Sequence, residues 1–249
     1  MKVLILCAGM GTRLGEITKN KPKCLVELKN ISILDRLIKQ LYKFGVSQKD
    51  IHLGAGYKSD KLPNQFKKFI NNQYRSTNMM KTTIIGIELS FEYLHNDENL
   101  LVVYGDCVYS NDFIKEMVLK TDQFKEITIP VDLQWESKWS NRYQNIYDDA
   151  ETLEFNKLNN KLLSIGNKSL IPEEYMAQFM GIYVVPNRFI KKFINSYYSF
   201  EITIQEKIST TEFFEKTIDI NNYHVLPGNY KWTEIDNLSD LLYARKLFF

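Results

Sequence analysis

The residues able to do chemistry gather in four short stretches. The first is Leu6-Cys7-Ala8-Gly9-Met10-Gly11-Thr12-Arg13-Leu14. A glycine loop that follows an apolar run can wrap backbone N–H groups around phosphate oxygens, because glycine lets the chain come close. The second is Lys19-Asn20-Lys21-Pro22-Lys23. Lysine is a compact point charge suited to phosphate, and Pro22 fixes the backbone just before Lys23. A solvated basic loop is the usual fate of such a run. Arg13, however, sets a second, separate cation beside the same phosphate cradle. The third stretch is Val103-Tyr104-Gly105-Asp106 and the fourth is Trp232-Thr233-Glu234-Ile235-Asp236. Each ends an apolar run in a carboxylate, at the position where open α/β sheets bind ligands. Alone, either Asp is more often a cap or turn residue. Together, Asp106 and Asp236 can hold Mg2+, which takes one or two protein carboxylates plus phosphate oxygens.

A further region mixes Trp135, Trp139, Tyr143 and Tyr147 with Asp132, Glu136, Arg142, Asp148 and Asp149. Aromatic faces attract an ammonium and Arg fixes a phosphate or carboxylate, so this mixture suits a small zwitterion. The alternative stands beside it: Trp135 and Trp139, one helical turn apart, pack the region onto the main sheet. Arg142 is singled out as a substrate-binding residue. Gln178-Phe179-Met180-Gly181 either lines the same pocket or is a plain strand with a bulge.

What is missing narrows the chemistry. A dinucleotide fold would want Gly-x-Gly-x-x-Gly, and the third position here is Leu14. The acidic ribose-binding residue expected after a second strand is absent from Leu53-Gly54-Ala55-Gly56-Tyr57. No Gly-Lys-Ser/Thr completes a Walker loop. His52, His95 and His224 lie far apart in the sequence, and Cys7, Cys24 and Cys107 show no Cys-x-x-Cys spacing. Neither a zinc site nor a disulfide framework follows from them.

The elements that must position these residues follow from the apolar pattern. The chain has 249 residues, 44% hydrophobic and 25% charged, with a formal net charge of +2. That composition can fill a core, which rules out intrinsic disorder, and its charge balance argues against a general nucleic-acid binder. No apolar run is long enough to span a membrane or act as a signal segment, so a reduced, cytoplasmic protein is expected. Strands are expected at 2–7, 50–54, 99–104, 126–131, 177–185 and 231–235. Helices are expected at 33–44 with Ser32 as cap, 61–70 with Pro63 in the first turn, 82–94, 111–119, 187–196 and 238–248. The polar stretch 132–172 suggests hairpin pieces. Alternating strands and helices imply an α/β fold: a Rossmann-like, mostly parallel mixed sheet covered by helices on both faces, with a small inserted α+β lobe. We expect one domain over 1–249, with a substrate-binding lobe at about 132–175.

The combination is more specific than its parts. The Leu-x-Ala-Gly-x-Gly-Thr-Arg loop at 6–13, Lys21-Pro22-Lys23-Cys24-Leu25, Gly105-Asp106 and Glu234-Ile235-Asp236 together resemble the signature of the sugar-phosphate nucleotidyltransferase superfamily. The resemblance covers nearly the whole chain. It implies that Leu6, Ala8, Gly9, Met10, Gly11, Thr12 and Gly105 contact a nucleotide. It further implies that Arg13 and Lys23 bind and neutralise phosphates as the catalytic cations, and that Asp106 and Asp236 carry Mg2+. Cys7 stands where many relatives have Ala, a packing variation.

Asp132 to Arg142, Asp149-Ala150-Glu151 and the ending from Gly228 to Leu241 are similar to the small cytidylyltransferase branch. That branch acts on phosphocholine, aminoethylphosphonate or phosphoglutamine. Thr77-Asn78-Met79-Met80-Lys81-Thr82 resembles that branch's Thr-Asn-Asn-x-x-Ser stretch, with Met79 and Thr82 departing from it. The resemblance thus implies nucleotide contacts at Asn78 and Thr82, and acceptor contacts at Asp132, Trp135, Trp139, Arg142, Gln178, Gly181 and Glu234. CTP and a small phosphorylated acceptor are the implied partners. Nucleic acid and membrane are not among the expected partners, and a homodimer is compatible with the sequence. A UTP- or dTTP-dependent sugar-phosphate enzyme and a non-catalytic nucleotide-binding regulator remain open at this point.

Overall fold

The computed structural model describes residues 1–71, 79–92, 98–169 and 171–249. Its strands are β1 (Lys2–Leu6), β2 (Glu27–Leu28), β3 (Ile31–Ser32), β4 (Ile51–Ala55), β5 (Lys67–Ile70), β6 (Leu100–Tyr104) and β7 (Cys107–Tyr109). They continue with β8 (Ile127–Asp132), β9 (Leu153–Phe155), β10 (Leu162–Ile165), β11 (Gln178–Phe179), β12 (Ile182–Val185), β13 (Tyr223–Gly228) and β14 (Trp232–Glu234). The helices are α1 (Ile33–Lys43), α2 (Met79–Phe91), α3 (Asn111–Leu119), α4 (Trp135–Trp139), α5 (Asn187–Tyr198), α6 (Ile202–Gln205), α7 (Thr210–Lys216) and α8 (Leu238–Phe248).

β1 lies inside the main sheet, parallel to β4 on one side and to β6 on the other. β5 extends the sheet in parallel beyond β4. On the other side β12 runs antiparallel between β6 and β8, and β13 pairs β8 in parallel. The result is a mixed, mostly parallel sheet. β1 is where the connections reverse direction, so the loop after its carboxyl end sits in the ligand-binding crevice of such sheets.

The sheet is buried on both faces, which is why its strands read as continuous apolar runs. Val3, Ile5, Leu101 and Val103 face α1 and α3, through Leu34, Leu37, Leu41, Phe113 and Met117. Leu4, Leu100, Val102, Ile127 and Ile129 face α2, α5 and α7, through Ile84, Ile87, Phe193 and Phe214. α1 starts where expected, because the Ser32 hydroxyl accepts the Asp35 amide at 2.9 Å. Between β8 and β11 the chain forms α4 and the antiparallel hairpin β9–β10, an α+β insertion. Among the described residues no helix is long and apolar enough to cross a membrane.

Three expectations need correction. The helix expected at 61–70 is instead a short 3-10 turn at Ser59–Lys61, with Pro63 in a connection, followed by β5. Phe69 is buried between exposed Ile70 and half-buried Lys68, the two-residue period of a strand on a sheet edge. The strand expected at 177–185 is interrupted at Met180–Gly181, and both halves pair with β8. Finally, α6, α7 and β13 form where the apolar pattern predicts no element. Pro227 within β13 disguises a strand, and is tolerated because β13 has β8 as its only ladder partner among the described strands. α7 carries a full capping box, Ser209 with Glu212, a pattern readable in the sequence.

His52 on β4 shows how tightly the sheet is covered. Its Nδ1 is 2.9 Å from Ser90 Oγ on α2, and its ring meets Phe69 edge-on. Burial, with Lys2 and Lys67 nearby, pushes its pKa down to about 4. The unfolded chain, near 6.5, binds more protons between those values, so stability is full above 6.5 and falls as pH drops toward 4. From pH 7 to pH 5 this one group should cost about 2 kcal/mol of unfolding free energy. Urea titrations should show that loss in the unaltered chain. They should show it diminished by that amount in His52→Gln, which cannot titrate; identical pH slopes for the two proteins would contradict the assignment.

Candidate active site

Two strands set the site. β7 and β14 form an antiparallel ladder in which Cys107 faces Glu234 and Tyr109 faces Trp232. The Ile235 amide then donates to the Asp106 carbonyl at 3.0 Å. Asp106, just before β7, and Asp236, just after β14, are therefore held at the same end of the ladder. Lys23 fills the space between them. Its Nζ lies 2.8 Å from Asp106 Oδ2 and also bonds Asp236 Oδ1. Arg13 Nη2 approaches Asp236 Oδ2 at 3.0 Å from the solvent side, its own side chain 61% exposed.

The glycine loop delivers Lys23 to this position. The Lys23 amide donates to the Gly9 carbonyl at 3.0 Å, after Pro22 has held the chain extended. Gly11 has φ +65, and a Cβ there would lie 3.0 Å from Lys23 Cγ. Both the left-handed backbone and the close passage of the lysine stem thus call for glycine. Gly105 is required by contact alone: a Cβ there would come within 2.7 Å of the Leu6 carbonyl oxygen and 3.1 Å of Cys24 Cβ. Cys7, Cys24 and Cys107 are buried free thiols beneath the site.

Burial would lower the Lys23 pKa, but Asp106 and Asp236 outweigh it and hold the ammonium firmly charged. Burial likewise works against the Asp236 carboxylate, and Lys23 and Arg13 overcome it, so its pKa is lowered. Burial pushes the Glu234 carboxyl up, against the pull of Arg142. Two carboxylates already gripping one ammonium form a donor set that fits a divalent cation with substrate phosphates completing its shell. Among the described residues no three His, Cys, Asp or Glu side chains converge on a point, so a closed metal cage is not built here.

A cavity of about 240 Å³ opens beside Asp236. Its wall includes Glu234, Asp149, Glu151, Thr152, Gln178 and Trp139, with Gly181 and Thr210 further along. The Gln178 amide clamps the Glu151 backbone, donating to its carbonyl at 2.6 Å and accepting from its N–H at 3.4 Å. Burial raises the Glu151 carboxyl pKa, with Thr211 and Lys168 pulling the other way. Trp139 Nε1 and Thr152 Oγ1 are buried and find no hydrogen-bond partner among the described residues. A second cavity, about 230 Å³, lies along the glycine loop between Met10, Thr12, Thr18, Lys19 and Tyr57.

The structure therefore brings together Arg13, Lys23, Gly105, Asp106 and Asp236, and sets Trp139, Gln178, Gly181 and Glu234 on the wall of the adjoining cavity. Leu6, Ala8, Gly9, Met10, Gly11 and Thr12 end β1 and form the loop beside them. Thr82 lies buried on α2, where its hydroxyl accepts from Asn71 Nδ2 at 2.9 Å. Asn78 lies outside the described residues.

Three of the expected acceptor residues are buried and engaged by other groups of the protein. Asp132 has no exposed surface, and its carboxylate is occupied by the Gln134 amide, Trp232 Nε1 and Lys138. Trp135 is buried in the core and donates to the Tyr175 carbonyl at 3.1 Å, which makes it the packing residue of the two tryptophans. Arg142 is buried with Nε on Asp240 and Nη2 on Glu234. Thr152 and Thr210 are wall residues outside every motif quoted above, and Glu151, quoted within Asp149-Ala150-Glu151, is one to which the motif assigns no role. The two threonines stand at element ends, where no spacing marks them.

This arrangement can neutralise a polyphosphate and hold a second charged molecule next to it. A model of the MobA-like NTP transferase domain matches residues 3–140. The chain is 32% identical over 254 residues to a CTP:phosphoglutamine cytidylyltransferase from Campylobacter jejuni, covering 97% of this chain and 98% of that protein. Among solved structures it is similar to a putative glucose-1-phosphate thymidylyltransferase from Bacillus anthracis. That match has a TM-score of 0.75 and 17% identity over 99% of this chain and 94% of the other. It is also similar to the CTP:phosphocholine cytidylyltransferase of Streptococcus pneumoniae, with a TM-score of 0.68 and 19% identity over 100% and 99% of the two chains.

The close approach at Gly105 can be checked directly. Gly105→Ala should destabilise the protein by roughly 1–3 kcal/mol, because the Leu6 carbonyl and Cys24 must both give way. A lower urea midpoint at unchanged slope is the expected result, and an unchanged midpoint would contradict the contact.

Proposed function

This chain belongs to the MobA-like NTP transferase domain family and is a nucleotidyltransferase, and we propose that it is a Mg2+-dependent cytidylyltransferase. On this reading it transfers CMP from CTP to the phosphate of a small zwitterionic metabolite, phosphoglutamine being the best match, and releases pyrophosphate. The observation that carries the reading is the Lys23 ammonium held between Asp106 and Asp236 at the mouth of an acid-lined cavity. CTP and phosphoglutamine are favoured by the end-to-end similarity to the Campylobacter jejuni enzyme.

The chemistry asks little of side-chain acids and bases. An acceptor phosphate oxygen, ionised at neutral pH, attacks the α-phosphorus of CTP. The bond from that phosphorus to the β-phosphate oxygen breaks, and the electron pair leaves with pyrophosphate. The difficulty is bringing anions together, since two unit charges about 4 Å apart repel by about 4 kcal/mol at an effective dielectric of 20. Lys23 and Arg13 offset that repulsion, and their benefit grows as charge builds on the leaving group. The glycine loop contributes backbone N–H groups that fix the nucleotide. Held by Asp106 and Asp236, Mg2+ would supply charge neutralisation and alignment of the phosphates.

The cavity suits the other end of the acceptor. Glu151 and Asp149 supply negative charge for an ammonium. Trp139 Nε1 and Thr152 Oγ1 are left to bond a carboxylate or amide oxygen. We assign the segment 132–175 to this role because Trp139, Asp149, Glu151 and Thr152 all come from it.

Pyrophosphate release with Mg2+ tests the proposal across CTP, UTP, dTTP and ATP, each paired with phosphoglutamine, phosphocholine, aminoethylphosphonate and glucose 1-phosphate. Release with CTP and phosphoglutamine is expected; release only with UTP or dTTP and the sugar phosphate would overturn it. Lys23→Ala should lower kcat/KM at least 100-fold, as removal of one preorganised charge stabiliser does. Near-normal turnover would remove Lys23 from the mechanism. Glu151→Gln should raise the acceptor KM about tenfold and leave the CTP KM unchanged, the cost of one charge-assisted bond. Equal KM values in the two proteins would take Glu151 out of acceptor recognition.

A further inference from the structure

Asp240 lies in the first turn of α8 with no exposed surface, yet it makes more bonds than an ordinary helix cap. Its Oδ2 accepts the backbone N–H groups of Asp236 at 2.9 Å and of Asn237 at 3.1 Å. Its Oδ1 accepts Arg142 Nε at 2.7 Å. The same guanidinium donates through Nη2 to Glu234 Oε1 at 3.0 Å and to the Tyr143 hydroxyl at 3.1 Å. It also lies 4.7 Å from the centre of the Trp139 ring. A capping box needs only the bond to Asn237. The bond to the Asp236 amide and the buried arginine are additional.

These contacts surround one short piece of chain. Glu234 is gripped through its side chain and Asp236 through its amide, by two residues that are themselves ion-paired. The pair is removed from water on both sides, the side chains of Arg142 and Asp240 having no exposed surface. Burying such a pair brings little net stability, so its value is in the geometry it fixes. Resting on the reading of Asp236 as a metal carboxylate, we propose that Arg142 and Asp240 are positioning residues that hold Asp236 in register with Asp106. The clamp also ties the inserted segment, which carries Arg142, to the carboxylate that holds the cation. Outer partners of metal ligands commonly matter this much, their loss costing about 10–100-fold in metal affinity.

The test uses the full chain and Mn2+ as probe, titrated without nucleotide, with free and bound metal distinguished by electron paramagnetic resonance. Asp240→Asn keeps an oxygen for the two amides and sets a donor against Arg142 Nε. It should weaken Mn2+ binding about tenfold. The Mg2+ concentration for half-maximal pyrophosphate release should rise by a similar factor, with kcat at saturating Mg2+ and the acceptor KM within about twofold of normal. A merely structural role would not give that split. Arg142→Lys keeps the charge and loses the fork. It approaches the same network from the other end, serves if Asp240→Asn does not fold, and should weaken Mn2+ binding in the same direction.

Mn2+ affinity unchanged in both variants would overturn the proposal. So would a raised acceptor KM with Mn2+ affinity unchanged, which would make Arg142 a substrate contact. An unaltered chain that binds no Mn2+ would overturn the metal reading of Asp236 and this role with it. Normal Mn2+ binding without pyrophosphate release from CTP would refute the nucleotide assignment alone, and the Mn2+ titrations would still decide the clamp.

Discussion

One ammonium between two carboxylates organises this molecule. Asp106 and Asp236 come from distant parts of the chain and would repel each other if brought together bare. Lys23, from a third part, bonds both. A buried pair without its counter-charge is strongly unfavourable, so the position of this lysine is a condition for the site to exist. The local backbone serves it. Gly11 yields space to the lysine stem, Pro22 aims it, and Gly105 lets the turn before Asp106 press against the carbonyl of Leu6. On the proposed reading the same triangle carries the function, because a cluster already balanced between cation and carboxylates can take up a divalent ion and polyphosphate together.

The sheet makes that cluster rigid. β1, β4 and β6 are buried on both faces, and the glycine loop leaves the sheet from the carboxyl end of β1. Beyond it, the β7–β14 ladder and the bond from the Asp236 amide to Asp240 hold the backbone that carries the second carboxylate. The cavity next to Asp236 draws much of its wall from the insertion between β8 and β11, apart from the glycine loop.

Much of this is legible in the sequence, and the exceptions have physical causes. β1, α1 and β6 show their periodicity because both faces of the sheet are dry. The loop from Ala8 to Arg13, Lys23 and the two aspartates is marked by residue type and spacing. β5 is too short and too near the edge for its alternation to show against Pro63. β13 is hidden by Pro227. Asp132 and Trp135 have the right chemistry for an acceptor, but both are occupied inside the protein, Asp132 by Lys138 and Trp232 and Trp135 by the core. Pairing is a property of three-dimensional neighbours, which composition does not reveal. Glu151 shows the reverse: its motif assigns it no role, and it becomes a cavity wall where Gln178, across the hairpin insertion, clamps its backbone.

The central claim is that this cluster joins a small phosphorylated acceptor to the α-phosphorus of CTP. The most direct measurement is 31P nuclear magnetic resonance of the chain with Mg2+, CTP and phosphoglutamine. The account predicts that the three CTP resonances give way to a pyrophosphate line and a coupled pair from a new diphosphate linkage. CTP that stays intact, while UTP or dTTP with glucose 1-phosphate gives that pair of signals, would contradict it.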